Sequence, residues 1–71
     1  MSTPREVSIR EETIRLGQLL KLAGLADSGA HARSLVQEGA VRVDGEVETR
    51  RGRQLHRGAL VEVGREAVRV V

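Results

Sequence analysis

The chain has no cysteine, phenylalanine, tyrosine or tryptophan, and one proline in 71 residues. Without cysteine there is no disulfide framework, no thiolate metal site and no cysteine nucleophile, a pattern that fits the cytosol. Without aromatic rings the core has to be built from Leu, Val, Ile and Ala. An unpaired base also has no ring to stack on, which is how most single-strand readers work. A chain of this length makes one domain, 1–71, with a single core that buries roughly 60% of the unfolded surface. No stretch approaches the ~20 consecutive apolar residues of a membrane span. The first twelve residues, MSTPREVSIREE, are charged and lack the apolar run of a signal peptide. The expectation is a soluble, cytoplasmic protein with no membrane partner.

Charge is the feature that is present and unevenly placed. The formal net charge is +2, from 12 basic and 10 acidic residues. The octapeptide RRGRQLHR, 50–57, holds Arg50, Arg51, Arg53, Arg57 and His56 with no acid among them. Removing it leaves eight basic residues against ten acidic ones. A solvated charge run is the plain reading. The sharper one is a face that displaces counterions from phosphates, set in a surface whose remaining charge discourages indiscriminate adhesion. Eleven of the twelve bases are arginine, which suits bidentate phosphate contacts, although a GC-rich genome yields the same bias.

Periodicity organises the rest. Residues 1–6 read as weakly held, and Val7 and Ile9 alternate with polar neighbours as a short edge strand. From Ile14 onward, Leu16, Leu19, Leu20 and Ala23 mark the apolar stripe of a helix that Gly24 ends, with Lys21 in its last turn. In ADSGAHARSLVQEG, Asp27 or Ser28 caps a second helix, Ala32, Leu35 and Val36 face inward, and Gly39 stops it. Val41, Val43 and Val47 then alternate around Asp44-Gly45, the strongest hairpin signal in the chain. Leu60–Val63 and Ala67–Val71 form a further pair of strands, turning at Gly64 to Glu66. The basic octapeptide lies between the two hairpins as a surface connector. There is no internal repeat, linker or low-complexity segment. Segregated helices and strands imply a small α+β domain, with two N-terminal helices packed on an antiparallel sheet of short strands.

Three stretches together are more specific than any one of them: RLGQLLKLAGLADS, SGAHARSLVQEGAVRVDGEV and ETRRGRQLHRGALVEV. In content and spacing they resemble the S4 RNA-binding domain over residues 15–63, and the chain is most similar to the short stand-alone bacterial members of that family. The resemblance implies an S4-like, alpha-L fold whose helices, following loop and hairpin face RNA. It also implies a partner in structured RNA, ribosomal or transfer, with the ribosome or an RNA-modifying enzyme as companion, and a chain acting as a monomer. Carried over by position, the RNA-facing residues are Lys21, His31, Arg33, Arg50, Arg51 and Arg53, to which Arg57 of the same patch is added. Ser28 corresponds to the family's capping serine. Gly29 stands where the family often has arginine, which moves the burden of affinity onto the connector. Asp44 replaces a common asparagine, and Ala59 a common acid.

Each of these residues also has a plainer reading. Arg33 and Lys21 can be ordinary helix-surface charges, His31 a solvent-exposed side chain, and His56 a bystander in the patch. Arg42 is best read as a cross-strand ion pair with Glu46 and Glu48. No metal-ligand spacing, nucleophile–base pair, P-loop or dinucleotide fingerprint occurs. The chain is therefore expected to be non-catalytic, with no metal and no cofactor. The second helix lacks the array of Arg, Asn and Gln that reads major-groove edges of DNA. The competing class is a protein-interaction module that docks through the basic patch or through an exposed strand, Val68 to Val71 or Val7 to Ile9.

Overall fold

The computed structural model describes residues 3–71. Helix α1 (Leu16–Leu22) forms on the expected stripe, with Leu16, Leu19, Leu20 and Ala23 buried. Helix α2 (Gly29–Gln37) starts at Ser28, whose hydroxyl accepts the His31 N–H at 3.1 Å, and it buries Ala32 and Val36. Both helices end in the same way. The N–H of Leu25 returns to the Leu20 carbonyl at 2.9 Å and that of Ala40 to Leu35 at 3.0 Å. Gly24 and Gly39, each at φ +75, make the left-handed step that this closure needs.

The main sheet has five strands in the order β1-β7-β6-β3-β4. They are β1 (Arg5–Val7), β3 (Val41–Val43), β4 (Glu46–Val47), β6 (Leu60–Val63) and β7 (Glu66–Val70). Asp44 and Gly45, both at positive φ, make the two-residue turn between β3 and β4 whose twist suits a hairpin. Val41, Val43, Val61, Val68 and Val70 alternate onto one face and pack against Leu16, Leu19, Leu20, Ala32, Val36 and Leu55 as a single aliphatic core. Among the described residues, no helix is long and apolar enough to cross a membrane.

The α+β class stands, with differences from the sequence reading. The sheet is mixed, because β1 runs parallel to β7 and is locked there by Ile9 N–H to Val71 O at 3.0 Å and Val71 N–H to Val7 O at 2.9 Å. Parallel pairing needs a long crossover, and nearly the whole chain lies between these two strands. Of the segment 1–6, Met1 and Ser2 lie outside the described residues, while Arg5 and Glu6 belong to β1. Val68 to Val70 is flanked on both sides by β1 and β6, so β1 and β4 are the edges of the sheet.

The largest difference concerns the connector. Its second half is strand β5 (Gln54–His56), paired antiparallel with β2 (Thr13–Arg15) as a separate two-stranded sheet. Leu55 is buried between exposed Gln54 and His56, a strand alternation too short to stand out among arginines. Ile14 accordingly belongs to β2 rather than to the helix.

The Ser28 cap gives the first prediction. Ser28→Ala is expected to lower the unfolding free energy by about 1 kcal/mol, read from urea denaturation, whereas Ser28→Asn should restore most of it. A Ser28→Ala protein as stable as the wild type would mean that the cap is dispensable.

Candidate nucleic-acid interface

Helix α1 lacks a side-chain cap: Arg15 occupies the N-cap position in extended conformation and its side chain bonds to none of the first-turn amides. The basic connector fills that role with its backbone. The Leu16 N–H donates to the Arg53 carbonyl at 2.8 Å and the Gly17 N–H to the Arg51 carbonyl at 3.0 Å. A further bond, Arg53 N–H to Arg50 O at 3.2 Å, closes the connector into a tight turn. The approach is close enough that any side chain at 17 would have to displace that of Arg51. A Cβ there would stand 2.7 Å from Arg51 Cγ and 3.2 Å from Cδ, so the Arg51 side chain lies directly over the first turn of α1.

The same turn is held from beneath by Glu48, which is only 6% exposed. Its carboxylate accepts the Arg50 backbone N–H at 3.0 Å, Arg50 Nε at 3.1 Å, Arg50 Nη2 at 3.3 Å and Arg53 Nη1 at 2.9 Å. These bonds, Arg50's side chain first and Arg53's second, hold the Glu48 carboxyl at a pKa of about 2 against the opposing effect of burial. The Arg50 guanidinium is raised in turn. The octapeptide's lack of acids is thus a property of the sequence and not of the fold, because an acid from just upstream is buried beneath it. Together Glu48, Arg50 and Arg53 carry one net positive charge instead of two. The ion pair expected for Arg42 does not form either. The register sets Arg42 opposite Val47 on one side and Glu62 on the other, and Glu48 is turned to Arg50 and Arg53.

Between the first turn of α1, the start of α2 and the connector lies a cleft of about 260 Å³. Arg15, Lys21 and Arg51 line it with the Gln18 amide, Gly17, Gly29, Ala32 and Gly52 complete the wall, and no carboxylate is among them. Gly29, the first residue of α2, has no atom within 4 Å of where a Cβ would stand, so the wall is open at that point.

The sequence-derived candidates therefore separate. Lys21 and Arg51 meet in the cleft. Arg50 and Arg53 are bound to Glu48. Arg33 is exposed on α2 and does not line the cleft. His31 serves the helix start: its Nδ1 accepts the Asp27 N–H at 3.0 Å, which leaves Nε2 to carry the proton of the neutral ring. Arg57 reaches the N-terminal segment, donating from Nη2 to the Ile9 carbonyl at 3.1 Å. Arg15 and Gln18 line the cleft as well, without being among the sequence-derived candidates. The available signal was their three-residue spacing with Lys21, which puts all three near one polar side of α1.

Glu48 also sets an acid limit on stability. Its carboxyl is depressed from an ordinary 4.5 to about 2, so the stabilisation it confers is complete above pH 4.5 and is lost as pH falls toward 2. Urea unfolding of the wild type across that window should show this loss, and Glu48→Gln should show a shallower decline. Parallel curves would remove Glu48 as the source.

Comparison with known proteins agrees with this architecture. The family model described as the S4 domain matches residues 7–71. The chain is 46% identical over 57 residues to "Probable ribosome maturation protein RlbA" of Bacillus subtilis (strain 168), covering 80% of each. It is 43% identical over 58 residues to YbcJ of Escherichia coli (strain K12), covering 82% of this chain and 83% of that protein. The solution structure of E. coli YbcJ, described as revealing an alpha-L motif involved in RNA binding, superposes with a TM-score of 0.74 at 39% identity. That match covers all of this chain and 91% of the other. The crystal structure of ribosomal protein S4e from Thermoplasma acidophilum gives 0.67 at 23% identity, over 87% of this chain and 33% of that one, a likeness of fold alone. With the family model spanning all but the first six residues, the chain belongs to the S4 domain family.

Proposed function

We propose that this protein binds structured RNA, ribosomal or transfer, without catalysing a reaction, by seating backbone phosphates in the cleft between α1, α2 and the connector. The observation that carries the reading is the cleft itself, where three cations from separate places in the chain, Arg15, Lys21 and Arg51, converge with no carboxylate in the lining. Arg15 stands at the N-cap of α1 and Lys21 in its last turn, and Arg51 lies over the same helix at Gly17. Cations held in place before the ligand arrives lose little conformational entropy on binding, so phosphate spacing can be selected. The absence of aromatic residues supports recognition through backbone and shape rather than through stacked bases. The name of RlbA favours ribosomal RNA within this class, and a cytoplasmic site of action follows from that partner.

RNA recovered with a tagged copy, washed at rising salt, tests the proposal. The wild type should retain a structured RNA at low salt and release it as salt rises. The triple variant Arg15→Gln, Lys21→Gln, Arg51→Gln should retain little. The slope of log affinity against log salt should fall by roughly 0.7 to 0.9 for each phosphate contact removed. Retention of a protein but no RNA would favour the interaction-module reading.

Gly17→Ala gives an independent check. The added methyl must push the Arg51 side chain off the cleft, and alanine by itself favours the helix. Affinity for RNA should drop several-fold with thermal stability nearly unchanged. Unaltered affinity would mean that the position of Arg51 over α1 is irrelevant.

A further inference from the structure

Four arginines, Arg15, Arg50, Arg51 and Arg53, and the one lysine, Lys21, lie at the connector turn or line its cleft, yet only some of them are free to meet a ligand. An arginine grips a phosphate or carboxylate through two parallel N–H groups on one edge of its guanidinium. In Arg50 one of the two such edges, Nε with Nη2, is already filled by the Glu48 carboxylate, and that charge offsets its own, although the side chain is 76% exposed. Arg53 gives Nη1 to the same carboxylate. Surrendering either partner to a phosphate would leave a buried carboxylate less well paired, which is a costly exchange. Arg51, between them in sequence, has no acid partner among the described residues and lines the cleft.

We propose that Glu48 is a specificity-determining residue of the RNA face: it withholds Arg50 and Arg53 from unselective phosphate attraction while pinning the turn that sets Arg51 at the cleft. The inference rests on the RNA-binding reading above. Counterion release rewards every free cation equally, whatever the shape of the nucleic acid. A connector with all its arginines free would therefore bind any strand. With two of them satisfied internally, affinity depends on the cations whose spacing the fold dictates, and RNA of matching shape is favoured.

The test measures binding of a stem-loop RNA and of an oligouridine across a salt series, for the wild type, Glu48→Gln, Arg50→Gln and Arg51→Gln. Glu48→Gln should bind oligouridine several-fold more tightly, with a salt slope steeper by roughly 0.7 for each arginine released. Its preference for the stem-loop should fall. Arg50→Gln, which keeps the Arg53–Glu48 pair and so the turn, should lower the slope less than Arg51→Gln does. Three results would overturn the proposal. The first is a Glu48→Gln protein with wild-type slope and preference, the second one that binds both RNAs more weakly with a shallower slope. The third is an Arg50→Gln slope as low as that of Arg51→Gln. A wild type with no salt-dependent RNA binding would instead remove the underlying function, and this inference with it.

Discussion

Two hydrogen bonds, from the Leu16 and Gly17 amides to the Arg53 and Arg51 carbonyls, tie the arrangement of this small domain together. The first amides of a helix have no partner within it, and here no side chain supplies one. The connector therefore has to lie across the start of α1, and everything about its chemistry follows from that position. The Arg51 and Arg53 carbonyls point at the helix, the Arg50 and Arg51 side chains are left to the outer surface, and β5 continues into pairing with β2. The basic segment is a structural cap as well as part of the proposed binding surface.

Glu48 completes the clamp from the other side. A turn this dense in arginine repels itself, and one buried carboxylate accepting bonds from two guanidinium groups and a backbone amide offsets that repulsion where it is strongest. The arginines in turn hold the carboxyl well below its ordinary value despite its burial. Carboxylate and arginines brace the turn together, so its geometry is set before any ligand arrives.

Much of the fold was legible in the sequence because its signals are local. The leucine stripe of α1, the capping serine of α2, and the Asp44-Gly45 turn each depend on residues a few positions apart. What was not legible depends on distance. The parallel partnership of β1 with β7 and the pairing of β5 with β2 join segments whose meeting no short pattern announces. The site divides along the same line. That the connector was basic could be counted, and Lys21 and Arg51 were named from it and from the family resemblance. That Glu48 would pair with two of the connector's arginines and cancel one of their charges could not be read, because Val47 and Glu48 look like one more polar alternation at the end of a strand. Arg15 was passed over because a residue at a strand–helix junction has no periodic pattern of its own.

The parallel seat of β1 beside β7 also bears on how the chain reaches this structure. Strands β3, β4, β6 and β7 can assemble through short hairpins and one intermediate connection, and α1 packs against α2 across a brief turn. Strand β1 is different, since its register is defined only against Val68, Arg69 and Val70, near the opposite end of the sequence. Closing so long a loop costs entropy that nearby contacts cannot offset in advance. Strand β1 therefore has no partner until β7 is in place, so one edge of the sheet depends on the meeting of the two ends of the described chain.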